Sequence, residues 1–336
     1  MGAPQEVAAE VARHLVLSNL SGHDSHGVLR IPLYVQMADR GALAPSSLPE
    51  VLQESPVSVL VDARRGFGQY STLFTVQRCL EKAESAGVAV GAIRHSTHTG
   101  RLGTYPELAA GRGFICVVTS GSAAPDYGVV APFGGAGRFL STNPWSIGIP
   151  AGRAHPPFVY DAATTTIAEG KNQLARARGV SVPEGALLDA SGLPSTDPEA
   201  LYRGGTLTPL GGVEAGHKGY GFSLAAALLG TLAIIGDPDP TPAGALEGFS
   251  GVGGVFVVVL DPGLFGDSGE YAQLVARTLQ EVKQVRPKPG VAEVLYAGEP
   301  EHRARELRAE DGIPVPEALW RELTAIGQRF GVKLPD

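Results

Sequence analysis

The chain has 336 residues and a net charge of −7 at pH 7, with 43% hydrophobic and 18% charged residues. This length and composition are typical of a compact protein with a substantial core and exclude a disordered chain. The negative charge, without any block rich in Lys and Arg, argues against a nucleic-acid partner. No run approaches the roughly 20 apolar residues of a membrane-spanning helix. The N-terminus lacks a basic segment before an apolar run, so we expect a cytoplasmic protein that does not bind membranes.

Apolar periodicity predicts helices at the start of the chain and then alternating strands and helices. The predicted elements of the first third are a helix over 4–20, a helix over 29–43 ended by Gly41, a strand over 56–63, a helix over 71–87, a strand over 88–93, a helix over 105–113 and a strand over 114–120. The strands at 56 and 88 with the helix between them form a β-α-β unit. This alternation predicts an α/β sheet covered by helices.

The remaining two thirds contain fewer regular patterns. Strand and loop segments are expected over 129–165, a surface connection over 179–212, a central helix over 217–236, a buried strand over 254–262, and helices over 270–285, 300–312 and 317–331. The surface connection is rich in Gly and Pro and has little periodicity.

The common nucleotide-binding fingerprints do not occur. No G-x-G-x-x-G follows a strand and opens a helix, because "GVGGVF" runs into a strand, and no G-x-x-x-x-G-K-[ST] is present. A conventional Rossmann turn is therefore excluded as the means of holding a dinucleotide.

Two H-x-x-H pairs raise the possibility of a metal site. His23 and His26 form one pair, and His95 and His98 form the other. The spacing occurs in loops rich in Ser and Thr, and no H-E-x-x-H or cysteine partner accompanies it. We expect no bound metal, and a metal-dependent hydrolase or lyase stays as the alternative from another class.

Acid/base and anion-binding groups lie at the predicted ends of elements. Ser25, His26 and Arg30 follow one another in "GHDSHGVLR", and an arginine can pair with a carboxylate through two hydrogen bonds. A loop histidine can equally be a capping residue, and a helix arginine can form a surface ion pair. "DAATTT" either lines a pocket or caps the next helix, and Lys218 is predicted at a helix N-terminus, where anions bind.

In their order along the chain, these segments resemble the malate/L-lactate dehydrogenase family of the second type, which includes ureidoglycolate and sulfolactate dehydrogenases and piperideine-2-carboxylate reductases. The similar segments include "GHDSHGVLRIPLYV", "GFGQY", "GVAVGAIRHSTHTGRLGTY", "FLSTNPWSIGIP", "DAATTTIAEGK" and "GGVEAGHKGYGFSLA". The resemblance covers nearly the whole chain.

The resemblance implies an oxidoreductase that interconverts 2-oxo and 2-hydroxy acids with NAD or NADP. It also implies a non-Rossmann mixed sheet flanked by helices, helical N- and C-terminal parts that pack together, and a homodimer. The implied division is an N-terminal helical part (1–55), a central NAD(P)-binding region (56–265) and a C-terminal helical part (266–336). Reduction of cyclic or N-alkyl imino acids is the alternative within the same class of enzyme.

The family's functional residues carry over by motif. The implied catalytic residues are His98 as proton donor, His26, Ser25 and Lys171. The implied substrate contacts are Arg30 for the carboxylate, Thr142 and Gly170. The implied cofactor contacts are Gly100, Arg101, Leu102, Ser122, Asp161, Ala162, Ala163, Lys218, Gly219 and Gly298.

Some positions depart from the family's pattern. His95 replaces an asparagine and Thr99 a phenylalanine, so we expect a more polar pocket wall. Lys171 is typical of hydroxy-acid members, whereas imine-reducing members carry an aspartate there, which favours an oxo-acid substrate. From the resemblance we also expect the chain to lack the first helix that most members carry.

Overall fold

The strands build one large and one small sheet. The computed structural model describes residues 1–125, 128–238 and 254–332. The strands are β1 (Glu50–Ser55), β2 (Ser58–Asp62), β3 (Val88–Arg94), β4 (Ile115–Gly121), β5 (Trp145–Ile149), β6 (Phe158–Ala162), β7 (Leu187–Leu188), β8 (Pro194–Ser195), β9 (Thr206–Leu207) and β10 (Gly254–Leu260).

Helices cover the large sheet and extend the chain at both ends. They are α1 (Gln5–Leu20), α2 (Ile31–Asp39), α3 (Gly68–Ala86), α4 (Thr104–Gly111), α5 (Glu169–Arg178), α6 (Gly212–Gly230), α7 (Ser268–Gln284), α8 (Glu299–Asp311) and α9 (Glu317–Arg329). None of those in the described ranges is long and apolar enough to cross a membrane.

The large sheet is mixed. Its seven strands lie in the order β1-β2-β3-β10-β4-β5-β6. Only β2 and β3 are parallel, and α3 connects them as the predicted β-α-β unit; the other neighbouring pairs are antiparallel. This arrangement confirms the predicted non-Rossmann α/β fold.

One edge of this sheet gathers the segments that carry the predicted site residues. Neighbouring registers place Asp62 opposite Arg94, Gly254 opposite Gly121, and Trp145 opposite both Thr119 and Ala162. The ends of β2, β3, β4 and β6 therefore meet the starts of β5 and β10. Loops that follow β3, β4 and β6 emerge side by side.

Helix α6 lies on the sheet with almost no side chains between the backbones. A Cβ on Gly121 would overlap the backbone of Ala226, and Cβ atoms on Gly230 and Gly254 would meet each other's backbones. The predicted central helix is thus buried only on its small-residue face. Phe222 on its outer face is 61% exposed, and Leu228 is 59% exposed.

The prediction that residues 179–212 form a surface connection is wrong. It contains the small sheet β8-β7-β9, and its apolar residues Leu187, Leu201 and Leu207 are buried in a second hydrophobic core. The strands of this sheet are two residues long, so no alternation of apolar and polar residues announces them.

The N- and C-terminal helical parts pack together, as predicted. Arg308 of α8 pairs with Asp24, which follows α1, at 2.6 Å, and Arg329 of α9 pairs with Asp39 of α2 at 2.6 Å. The three-part division stays a prediction. Its boundary at residue 55 falls within the β1–β2 hairpin, because β1 belongs to the large sheet.

Candidate active site

His98 lies in the loop that follows β3 and faces the N-terminal helices. Its Nδ1 is 2.8 Å from the hydroxyl of Tyr34 on α2, and the backbone N–H of Gly100 donates to the same nitrogen at 3.3 Å. Its ring stacks on that of His26, with centroids 5.6 Å apart and planes within 19°. Because Nδ1 already contacts Tyr34 and Gly100, Nε2 is the ring nitrogen that can contact a substrate.

The predicted Ser25, His26 and Arg30 set is assembled in two short 3₁₀ turns between α1 and α2. Ser25 Oγ lies 3.0 Å from His26 Nδ1, and Arg30 Nε donates to the carbonyl of Ser25 at 2.6 Å. The hydrogen bond from Nε to Ser25 fixes the orientation of the Arg30 guanidinium. Its two terminal nitrogens can still bind a carboxylate, and they lie in the same cluster as both histidines.

Both stacked imidazoles are held neutral. Burial, with a smaller contribution from the positive charge of Arg30, lowers the pKa of His26 from 6.5 to about 3. Burial, with smaller contributions from Arg30 and His26, also holds the pKa of His98 well below its usual value. Loss of solvation disfavours the charged ring, and a nearby cation adds to this effect. A neutral imidazole can accept a proton from a hydroxyl group.

Helix α5 borders this cluster at its first turn. A Cβ on Gly170 would lie 3.0 Å from the Cβ of Ser25, so the helix approaches the serine closely. Lys171 is the third residue of the helix and its side chain is exposed. The "DAATTT" segment does not cap this helix, because Ala168 occupies the N-cap position without a side-chain hydrogen bond.

Asp161, at the end of β6, is tied to the loop that follows His98. Its Oδ2 accepts a hydrogen bond from the N–H of Gly103 at 2.7 Å, and burial raises the pKa of the carboxyl group. The guanidinium of Arg101 is 2% exposed and pairs with Glu107 at 3.0 Å. The side chain of Leu102 is also part of the core. Neither side chain is therefore available to a cofactor in this structure.

The loops at the ends of β4, β5 and β6 form one wall. The side-chain amide of Asn143 accepts from the N–H of Ser122 at 3.0 Å and donates to the carbonyl of Ser223 on α6 at 2.9 Å. Asn143 has a left-handed backbone, with φ of 38°. The carbonyl of Thr142 accepts two hydrogen bonds from Thr164, each 3.0 Å long. Ala162 and Ala163 stay partly exposed beside this wall.

Three further predicted cofactor residues lie on α6 and beside the start of β6. Lys218 is exposed and is the seventh residue of α6, so its predicted place at a helix N-terminus is wrong. The reason is that the helix continues back through the glycines to Gly212. Gly219 packs against the backbone of Leu210, and Gly298 lies beside Val159 of β6 with φ of 98°.

The two H-x-x-H pairs do not form one four-histidine site, because His26 stacks on His98 while His23 and His95 bind carboxylates elsewhere. His23 contacts Glu301 at 2.9 Å, while His95 lies between Asp62 and Asp237, with its Nδ1 and Nε2 at 3.1 and 3.0 Å from their carboxylates. Within the described ranges, no three His, Cys, Asp or Glu side chains form a possible metal site. Thr99 is buried, and the ring of His95 is taken up by this ion cluster.

Sequence reasoning missed Tyr34, Gln69 and Asn143. Gln69 Nε2 donates to the hydroxyl of Tyr34 at 2.5 Å, so both residues support His98 from behind. A weak signal was present, because Tyr34 is one helical turn after Arg30 and Gln69 lies in the segment "GFGQY". Both residues otherwise look like ordinary helix residues.

The chain is similar to proteins with one class of activity. An L-lactate dehydrogenase from Cupriavidus necator is 33% identical over 99% of this chain and 93% of its own length. A Delta(1)-pyrroline-2-carboxylate reductase from Ancylobacter novellus is 32% identical over 98% of this chain and 93% of its own. The crystal structure of malate dehydrogenase from Entamoeba histolytica matches with a TM-score of 0.90 and 26% identity, covering 100% and 94% of the two chains.

The fold and the relatives define an oxidoreductase of the dehydrogenase and reductase type. The malate/L-lactate dehydrogenase family model matches residues 1–324, and the chain belongs to that family.

Proposed function

We propose that the chain interconverts a 2-oxo acid and a 2-hydroxy acid, with His98 as proton donor and acceptor and NAD or NADP as hydride carrier. The observation that carries this proposal is the stacked pair of neutral imidazoles beside Arg30. Proton transfer and carboxylate binding are the two functions that the protein must supply, because the nicotinamide supplies the hydride.

The residues of the cluster divide these functions between them. Arg30 binds the substrate carboxylate through its terminal nitrogens, since its Nε is used by Ser25. His98 Nε2 gives a proton to the carbonyl oxygen during reduction and takes it from the hydroxyl group during oxidation. His26 and Ser25 form the opposite wall, and Gly170, Lys171 and Thr142 complete the substrate end.

The wall made by the ends of β4, β5 and β6 fits a cofactor. The hydroxyl of Ser122 is buried and has no hydrogen-bond partner among the described residues, and the adjacent Ala162 and Ala163 leave room at the surface. With Asp161, these residues would hold the nicotinamide end. The backbone of Gly100, Arg101 and Leu102, together with Lys218, Gly219 and Gly298, would hold the rest.

Imine reduction is the second candidate, because one relative is named as a pyrroline-2-carboxylate reductase. Both reductions add a hydride to carbon and a proton to the neighbouring atom. That atom is oxygen in an oxo acid and nitrogen in an imine. Lys171 favours the oxo acid.

One assay separates these activities. NADH and NADPH oxidation is followed with a panel of 2-oxo acids, with pyruvate plus methylamine, and with cyclic imino acids. We expect turnover of at least one 2-oxo acid, with a clear preference for one of the two cofactors. Turnover of imines alone would assign the second candidate, and turnover of neither class would refute both.

We also propose a homodimer. Phe222 and Leu228 of α6 and Ile235 beyond it are large apolar residues with high exposure, up to 73% for Ile235. A second copy of the chain would cover such a face. Light scattering of the purified protein tests this, and a monomer at micromolar concentration would refute it. The cytoplasmic location stays a prediction.

A further inference from the structure

Three side chains form a hydrogen-bonded line behind the proposed catalytic nitrogen. Gln69 Nε2 is 2.5 Å from the hydroxyl oxygen of Tyr34, and that oxygen is 2.8 Å from His98 Nδ1. An amide nitrogen can only donate, so it occupies a lone pair of Tyr34. The single proton of Tyr34 then points to His98 Nδ1. In this arrangement a neutral His98 carries its own proton on Nε2.

This tautomer is unable to accept a proton from a substrate. A general base needs a free lone pair on Nε2, which requires the ring proton to be on Nδ1. The protonated ring that donates during reduction also carries a proton on Nδ1. In both working states Tyr34 must accept from Nδ1 and donate in the opposite direction, to an acceptor on Gln69. The backbone N–H of Gly100, which donates to Nδ1 at 3.3 Å in the arrangement of the structure, loses that acceptor in these states.

We propose that Gln69 is a positioning residue that sets the tautomer of His98 through Tyr34, by rotating its amide through 180°. The inference rests on the proposed role of His98 and adds the residue that prepares it. With Nε2 towards Tyr34, the ring proton is on His98 Nε2. With Oε1 towards Tyr34, the ring proton is on Nδ1 and the ring is ready to act as a base.

The surroundings of Gln69 support both orientations. Its side chain is fully buried, and Oε1 has no hydrogen-bond partner in the part of the chain that the structure describes. A buried acceptor of this kind costs free energy unless it finds a donor. Rotation gives Oε1 the proton of Tyr34.

Two buried polar side chains near Gln69 are candidate acceptors for the displaced amide N–H. His14 is fully buried, and neither of its ring nitrogens has a partner within the described ranges. A Cβ on Gly100 would overlap His14 Nε2 and would lie 3.1 Å from Gln69 Cγ, so both side chains border one glycine. The hydroxyl of Thr72, one helical turn after Gln69, is likewise without a partner there.

Rotation of the Gln69 amide reverses the hydrogen bonds from Gln69 through Tyr34 to His98, which we call the relay, and leaves the number of protons unchanged. During oxidation the substrate O–H bond breaks and a bond between that proton and Nε2 forms, while the hydride on the same carbon would pass to NAD or NADP as the carbonyl forms. The proton on Nδ1 stays in its hydrogen bond to Tyr34. The charged ring then loses the Nε2 proton to water. Reduction follows the same steps in reverse.

Substitutions at Gln69 separate the two orientations. A carboxylate only accepts, so Gln69→Glu fixes the working tautomer, and its negative charge moves the acidic limb of the kcat/KM profile to higher pH. Gln69→Met cannot accept from Tyr34, and we expect kcat to fall about tenfold to hundredfold, as when outer partners of metal-bound imidazoles are removed, with KM changed less than about twofold. Thr75→Val is the matched control, because Thr75 is buried in the same helix and its hydroxyl, among the residues that the structure describes, bonds only the carbonyl of Ser71.

Imidazole ¹⁵N NMR reads the tautomer without any substrate. His98 is assigned by the resonances lost in His98→Gln. We expect its proton on Nδ1 in Gln69→Glu and on Nε2 in Gln69→Met, and the same tautomer in both would overturn the proposal. This result is independent of turnover, so a failure of the proposed reaction is distinguished from a failure of the relay.

A double-mutant cycle covers the case in which Gln69→Glu does not fold. Tyr34→Phe, Gln69→Met and the double variant should lose the same factor in kcat, because the two residues act as one unit. Losses that multiply in the double variant would overturn the relay.

Discussion

His26 and His98 stack with their centroids 5.6 Å apart although they come from segments 72 positions apart in the chain. Two imidazolium rings at this distance would repel each other and Arg30, and burial penalises either charge. The cluster therefore stays uncharged apart from the guanidinium. This leaves one fixed positive charge for the substrate carboxylate and one neutral ring for the proton.

Replacing His98 should remove the proton transfer while leaving substrate binding in place. We expect His98→Gln to lower kcat about 10²- to 10⁴-fold, the usual contribution of a positioned acid or base. KM should change little, because Arg30 and Ser25 are untouched. Steady-state kinetics with the preferred oxo acid measures this, and near-normal turnover would remove His98 from the mechanism.

The low pKa of His98 sets the pH dependence of the two directions. Oxidation needs the neutral ring, which is present at neutral pH and persists well below pH 6.5. Reduction needs the protonated ring, whose population grows as pH falls. We expect kcat/KM for oxidation to stay flat between about pH 8 and pH 6, and kcat/KM for reduction to rise over the same interval. Opposite slopes would contradict a depressed pKa.

Arg30 should act on substrate affinity. A hydrogen bond to a charged group contributes about 1.5–3 kcal/mol, so Arg30→Ala should raise KM by about tenfold to hundredfold. Arg112→Ala is the control for loss of one positive charge, because Arg112 pairs with Glu84 on the surface. An unchanged KM in Arg30→Ala across several oxo acids would exclude carboxylate binding by this residue.

Much of the sheet was predictable from local patterns, but its order was not. The β-α-β unit around α3 follows from apolar periodicity and the left-handed Gly87 that ends the helix. The insertion of β10 between β3 and β4 depends on pairing with strands more than a hundred residues earlier, and no local pattern encodes it.

Local sequence patterns also predict only part of the site. His98, His26 and Arg30 carry chemistry in their side chains, so motif reasoning finds them. Gln69 and Tyr34 matter only because α2 and α3 bring them into line behind a histidine from another loop. In sequence His95 belongs to an H-x-x-H pair and replaces an asparagine of the family, and the structure places it between two carboxylates.

His95 should stabilise the fold more than it affects catalysis. Its ring pairs with Asp62 and with the buried carboxylate of Asp237, and its backbone has φ of 50°. We expect His95→Ala to lower the free energy of unfolding by about 2 kcal/mol, with kcat changed less than about threefold.

His95→Asn is the matched control for the backbone. Asparagine adopts positive φ more readily than alanine, so this variant should lose less stability than His95→Ala. Urea unfolding of both variants gives the comparison. A loss of kcat in His95→Ala as large as in His98→Gln would contradict a structural role.

His14 should make the protein less stable in mild acid. Burial lowers its pKa from 6.5 to about 3, so the folded protein keeps this ring neutral where the unfolded chain protonates it. The unfolded state therefore binds more protons below pH 6.5, and stability falls as pH falls towards 3. Between pH 7 and pH 5 this one group should cost about 2 kcal/mol. His14→Leu lacks this imidazole and keeps all other titrating residues. Urea unfolding at pH 7 and pH 5 measures the free energy of unfolding, and the wild type should lose about 2 kcal/mol more of it than the variant. Equal losses would mean that the ring becomes protonated in the folded protein, and His14 would then be a charged neighbour of His98.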